Sequence, residues 1–205
     1  MLSILLVITA FLGYHARKVE MSYEYASLLP KKDQAYKDYQ QFVEVFGEEG
    51  NLIIIGMQDS AFFQLDKFRA WKELGNQLSE VEGVEDLMSV SNAYNLKKNT
   101  DERTFETEQV FPDTIVSQAQ LDSLVEEFKS LPFYRKMVYN GETNTYLLAI
   151  TVNKDKMMTR EREQMVKSIR KISKDFEKEQ DVDLHYSGLP YIRVVNATKI
   201  KKELY

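Results

Sequence analysis

The stretch Asn51-Leu52-Ile53-Ile54-Ile55-Gly56-Met57-Gln58 decides the fold. Three consecutive β-branched isoleucines suit a pleated surface, and a run that is apolar at odd and even positions alike predicts a central strand. Asp59 and Ser60 close it. Downstream, Phe68, Trp71, Leu74 or Gly75, and Leu78 recur at helical spacing, so a helix is expected from about Asp66 to Ser79. Gly83 marks a turn, and Val84–Val90 reads as a second strand. Strand, helix and strand in this order make a βαβ unit.

Working upstream, Tyr36, Tyr39, Val43 and Phe46 keep helical spacing, with Gly47 placed to end the helix begun near Asp33. Before it, Met21, Tyr23 and Tyr25 alternate with polar neighbours, which predicts a short extended lead-in broken by Pro30. Working downstream, residues 91–116 are polar (Ser91, Asn92, Asn95, Asn99, Thr100, Asp101) and read as a long loop, with an edge strand around Arg103–Phe111. Ser117 and Gln120 form a capping box, and Val116 and Leu121 stand where a hydrophobic staple would. Leu121, Leu124, Val125, Phe128 and Leu131 form the stripe of that helix, and Pro132 ends it.

Tyr134–Tyr139 and Thr145–Val152 read as strands on either side of Asn140-Gly141, a hairpin signal. A long helix from about Arg160 to Glu179, capped by Thr159, carries Met165, Ile169, Ile172 and Phe176 inward. Val182–Ser187 is the last strand, and Gly188-Leu189-Pro190 turns the chain into a final helix from about Tyr191. The layout is α+β. Helices on one face of a four- or five-stranded antiparallel sheet give a ferredoxin-like sandwich.

Composition narrows the chemistry. The 205 residues carry 27 Lys+Arg and 32 Asp+Glu, a net charge of −5, with no cysteine and two histidines. Zero cysteine excludes a disulfide scaffold, a thiol nucleophile and cysteine-ligated metal sites. Mild acidity argues against nucleic acid as a partner. No GxSxG elbow, P-loop or GxGxxG motif occurs, so an enzyme is not expected, nor a cofactor or a metal. His185, between Leu184 and Tyr186, reads as a strand residue rather than a base. Met157-Met158 reads as packing rather than a copper site. Lys167, Arg170, Lys171, Lys174 and Lys178 form a basic stripe, either a solvated face or a dock for anionic headgroups or an acidic partner.

The start of the chain does not fit a plain soluble protein. Residues 1–13, MLSILLVITAFLG, hold no charge, yet a membrane-spanning helix needs about 20 apolar residues. Tyr14, His15, Arg17 and Lys18 follow like an interfacial flank. Three alternatives stand: the outer half of a transmembrane helix whose start precedes this chain, an unusual signal peptide or anchor, and a buried core segment. The first makes the chain a fragment.

Taken in order, these features resemble the first periplasmic segment of exporters of the resistance-nodulation-division superfamily, the group that includes mycobacterial-membrane-protein-large transporters. The resemblance rests on Leu29-Pro30 after the apolar run, and on Phe46-Gly47-Glu48 before the strand Asn51–Gly56. It rests also on Glu82-Gly83-Val84 with Leu87–Val90, on Val110–Pro112 before the Ser117 helix, and on Ser187-Gly188-Leu189-Pro190-Tyr191. No single motif is specific; order and spacing carry it. It implies three parts: residues 1–18 ending a first transmembrane helix, a periplasmic porter domain at 19–189, and a juxtamembrane helix at 190–205 leading to a second span. It also implies proton-driven export of lipids or other amphiphiles across a bacterial inner membrane. The partners would be the substrate, membrane lipids, further membrane helices, a second porter domain and, in some arrangements, a homo-oligomer. The proton-relay residues would lie outside this chain. Phe62, Phe63, Tyr94, Phe105 and Phe111 are the rings expected to line or gate a lipophilic path; the alternative is that each caps the domain's own core. The competing function is a membrane-anchored ligand-sensing domain of a signalling receptor.

Overall fold

A computed structural model describes residues 2–16, 33–38, 41, 50–99, 104–157, 159 and 161–204. The chain divides into two units, residues 1–47 and 48–205. In the first, helix α1 (Leu2–Ala16) has 15 residues, and residues 34–38 are helical. Every side chain from Ile4 to His15 is exposed. Among the described residues no helix is long and apolar enough to cross a membrane. The lead-in strand, Leu29-Pro30 and most of the helix expected up to Phe46 lie outside the described residues.

The second unit is a mixed α+β structure. Its elements are β1 (Leu52–Gln58), α2 (Leu65–Ser79), β2 (Val84–Ser89), β3 (Tyr94–Asn99), β4 (Thr104–Gln109), α3 (Gln118–Lys129), β5 (Tyr139–Asn140), β6 (Thr145–Val152), α4 (Lys154–Met157), α5 (Glu161–Gln180), β7 (Leu184–Ser187) and α6 (Leu189–Leu204). The main sheet has the order β2-β6-β1-β7, and every pairing in it is antiparallel. Since β1 occupies one edge of β6, the two-residue β5 and β2 follow each other along the other. Two βαβ units result, β1-α2-β2 and β6-α5-β7, each split by a strand of the other. β1 is therefore an interior strand, as its apolar run predicts.

One face of this sheet builds the core. Ile53, Ile55 and Met57 of β1 stand opposite Ile150, Leu148 and Tyr146 of β6, and all six are buried. α2 adds Phe68, Trp71, Leu74 and Leu78, and α5 adds Met165, Val166, Ile169 and Phe176. Each such side chain stabilises by about 1.5–3 kcal/mol before the entropy of ordering is subtracted. On the other face, Ile54, Leu147 and Ala149 are half-buried and stand outside the hydrophobic core.

Three local expectations are corrected. The segment expected as a loop with one edge strand is instead a two-stranded hairpin, β3–β4, separate from the main sheet. Alternation at Tyr94-Asn95-Leu96 is what its polar composition hid. The strand expected over Tyr134–Tyr139 is a 3-10 turn, Pro132–Tyr134, leading to β5. Proline at its first position and Lys136 at φ 65° bend the backbone out of an extended path. The Ser117 hydroxyl accepts the Gln120 N–H at 3.3 Å as a cap should, but the Gln120 side chain takes the Val116 N–H at 2.9 Å instead of that of Ser117. Val116 is 71% exposed while Leu121 is fully buried, so no staple forms. At α5 the Thr159 hydroxyl accepts the Glu161 N–H at 3.2 Å, the expected cap.

Candidate functional site

The five rings expected along a path divide by burial. Phe62 and Phe111 are wholly buried. Phe62 stacks on Tyr146 with centroids 3.7 Å apart and packs edge-on against Phe68 and Trp71. Phe111 fills the space between Phe68, at 4.7 Å, and Phe128, at 5.6 Å. Both plug the core, because large rings next to turns find their lowest free energy under the helices. Phe63 is half-buried, and the Lys129 ammonium lies 5.1 Å over its ring.

Tyr94 and Phe105 are different. They are 52% and 71% exposed, and the hairpin register places them on one face with Leu96, which is 67% exposed. In that register Tyr94 opposes Gln109, Leu96 opposes Thr107 and Lys98 opposes Phe105. Alternation sends Asn95 and Lys97 to the other face. There the Asn95 amide donates to Glu127 at 3.1 Å, and Lys97 pairs with Glu108. The polar face thus turns to α3, and the apolar face turns to solvent. Leu96 joins the two rings on this exposed face, and its signal in the sequence is the two-residue period from Tyr94.

The hairpin is fixed at its base. The buried Tyr134 hydroxyl accepts the Tyr94 N–H at 2.8 Å and donates to the Tyr94 carbonyl at 2.9 Å. The strap that follows β4 is held by α2. The Lys72 ammonium donates to the carbonyls of Phe111 at 3.1 Å and Pro112 at 2.7 Å, and lies 3.3 Å from the Asp113 carboxylate. Arg69 Nε donates to the Ile115 carbonyl at 3.0 Å. Cationic side chains here satisfy carbonyls that no strand or helix pairs. Beside the strap a cleft of about 260 Å³ is lined by Lys72, Asn76, Asp86, Gln109 and Asp113, a polar wall unsuited to a lipophilic guest.

A further surface is the sheet face turned away from the core. Leu52 and Met88 are 41% and 37% exposed there, beside the half-buried Ile54 and Leu147. Little on either apolar surface is reactive. His15 and His185 are both exposed, and among the described residues no group of three or more His, Asp and Glu side chains is placed to hold a metal ion. Met157 is buried; Met158 lies outside the described residues. All five cations of the α5 stripe are exposed. Lys167, Lys174 and Lys178 meet Glu163, Glu177 and Asp175 of the same helix at 3.8, 2.5 and 3.9 Å, as on a solvated face.

Burial and hydrogen bonding shift a few groups. Desolvation works against the charge of Asp59, but hydrogen bonds from the Lys67 ammonium and the Ala61 amide outweigh it and hold the carboxyl below its ordinary range. Burial pushes the phenols of Tyr146 and Tyr186 up to about 12. None of these groups lies on the apolar face of the hairpin. The chain matches no protein-family model and no characterised protein.

Proposed function

We propose that the chain is an extracytoplasmic porter domain of a proton-driven exporter of the resistance-nodulation-division type. It would act in a bacterial inner membrane on lipids or other hydrophobic and amphiphilic compounds. The observation that carries this is the meeting of the sandwich's two ends. The Leu189 Cδ1 lies 3.5 Å from where a Cβ on Gly50 would stand, and Gly188 lies on the backbone of Leu52 and Ile53. A domain inserted between two membrane helices of one polypeptide needs its ends side by side.

The sheet order gives further support, because two split βαβ units in an antiparallel sheet are the ferredoxin-like pattern that the resemblance implies. α1 is apolar on every side and exposed on every side, a surface that hydrocarbon covers without cost. Tyr94, Leu96 and Phe105 then form the lipophilic contact of the domain, with Phe63 at its margin and Phe62 and Phe111 supporting from the core.

The test uses the full-length protein in cells depleted of their own exporters. Expression should lower the accumulation of a fluorescent hydrophobic dye, and a protonophore should abolish the difference. Unchanged accumulation overturns the proposal, and dye binding without efflux points to the ligand-sensing alternative.

A further inference from the structure

We propose that Asn140 is a site of spontaneous covalent modification, at which the Gly141 backbone nitrogen attacks the Asn140 side-chain amide and leaves aspartate or isoaspartate in its place. Asn140 is the only asparagine of the chain that glycine follows. Attack by the next backbone nitrogen is hindered by a Cβ on that residue, and glycine has none. Every other asparagine precedes a residue with a side chain, so this chemistry singles out one position.

The structure leaves the reacting groups open. Gly141, Glu142 and Thr143 are exposed at the turn between β5 and β6, and Asn140 is half-buried. A Cβ built on Gly141 would meet nothing nearer than the Tyr139 ring at 4.0 Å. The Asn140 Oδ1 accepts the Glu142 N–H at 3.0 Å, an Asx turn that bends the side chain back over the peptide joining it to Gly141. That N–H also stabilises the charge the oxygen gains as its carbon is attacked. Among the described residues nothing accepts from the Asn140 Nδ2, so the leaving group is not held. Asn153 is the opposite case: its Nδ2 donates to Glu85 at 2.7 Å and its Oδ1 accepts the Lys156 N–H at 3.0 Å.

The step balances with water alone. The bond from Gly141 N to Asn140 Cγ forms, the Cγ–Nδ2 bond breaks, and the Gly141 amide proton departs with ammonia. Water then opens either C–N bond of the cyclic imide. One opening gives aspartate. The other gives isoaspartate, in which the backbone runs through the side-chain carbons and is longer by an atom. The added atom falls at Asn140↔Thr145, where β5 leaves β6 for the turn. This turn is tied to the end of β1: the Gln58 Nε2 donates to the Thr143 carbonyl at 2.9 Å, and the Asp59 N–H donates to the Asn144 carbonyl at 3.0 Å. The neighbouring pair is Tyr139↔Tyr146, both buried, and Phe62 stacks on Tyr146. Isoaspartate thus loosens the turn one pair away from the core. None of this depends on export.

The test incubates the purified chain, folded in detergent, at mildly alkaline pH and reads its tryptic peptides by mass spectrometry. Residues 137–154 form one such peptide, and it holds Asn140, Asn144 and Asn153 together. Its mass should rise by the difference between an amide and an acid, at Asn140 alone, with two products that separate on chromatography. The φ of Gly141 is not left-handed, so Gly141→Ala should keep the melting temperature and slow the conversion severalfold. If Gly141→Ala fails to fold, Asn140→Gln, whose longer arm closes a ring more slowly, serves as the comparison. The converted wild type should melt below the fresh protein, and an equal melt overturns the loosening of the turn. A folded chain that stays unmodified while the same chain converts in urea overturns the proposal, because the fold then protects the site. So does conversion of Asn144 or Asn153 as fast as that of Asn140, or a Gly141→Ala protein that converts at the wild-type rate.

Discussion

Gly188 lies against the carbonyl of Leu52 so closely that a Cβ at position 188 would stand 2.1 Å from that oxygen. Its φ is 106°, a region that side-chain-bearing residues rarely adopt. The start of β1 and the start of α6 thereby meet backbone to backbone.

Gly188→Ala should accordingly lower stability by at least about 2 kcal/mol, from backbone strain and a clash that no side chain can relieve. Gly50→Ala shares a left-handed φ of 123°, but its nearest neighbour is the mobile tip of Leu189 at 3.5 Å. It should cost only about 1 kcal/mol. Urea unfolding of the two variants compares them, and equal losses would mean the Gly188 contact is not tight.

The rings should separate into two classes. Phe111→Ala removes a fully buried side chain and should cost about 3–5 kcal/mol. Phe105→Ala removes an exposed one and should change stability by no more than about 0.5 kcal/mol. If the porter proposal holds, Phe105→Ala and Leu96→Ala lower dye export at an unchanged melting temperature. Export that survives both substitutions removes the hairpin from the path.

The strap gives a third expectation. Lys72→Met keeps the aliphatic stem but strips three polar contacts from Phe111, Pro112 and Asp113. A loss of about 1–3 kcal/mol is expected from carbonyls left without a donor. Hydrogen exchange should quicken in residues 110–117 and remain slow in β1 and β6; uniform quickening would count against a local role.

Stability should fall at both extremes of pH. Asp59 has a depressed folded pKa, so its contribution is complete above the unfolded carboxyl value near 4 and is lost as pH drops through the folded value. Asp59→Asn should remove that portion of the acid dependence. Tyr146 and Tyr186 titrate near 12 when folded and near 10 when unfolded, so the unfolded chain releases their protons first. Their contribution is intact below pH 10 and declines toward pH 12. Tyr146→Phe should flatten this alkaline decline in thermal melts. An unaltered slope would place the cause elsewhere.

The sequence by itself determined the main sheet and its helices. Ile53–Ile55, the stripe of α2, the alternation of Thr145–Val152 and the stripe of α5 are local periodicities, and burial of one face follows from them directly. The Thr159 cap and the class α+β were legible for the same reason. Only the tertiary structure decided which rings are core. Phe62 and Phe105 look alike along the chain, yet one stacks on Tyr146, 84 positions away, and the other stands in solvent. Register did the same for the hairpin, since Leu96 and Phe105 share a face only once β3 and β4 are paired. The meeting of Gly188 with Leu52 is likewise a long-range backbone contact, with only the glycine visible in sequence. Periodicity reports what a residue does relative to its own element; which distant element covers it is a matter of packing, which no local pattern encodes.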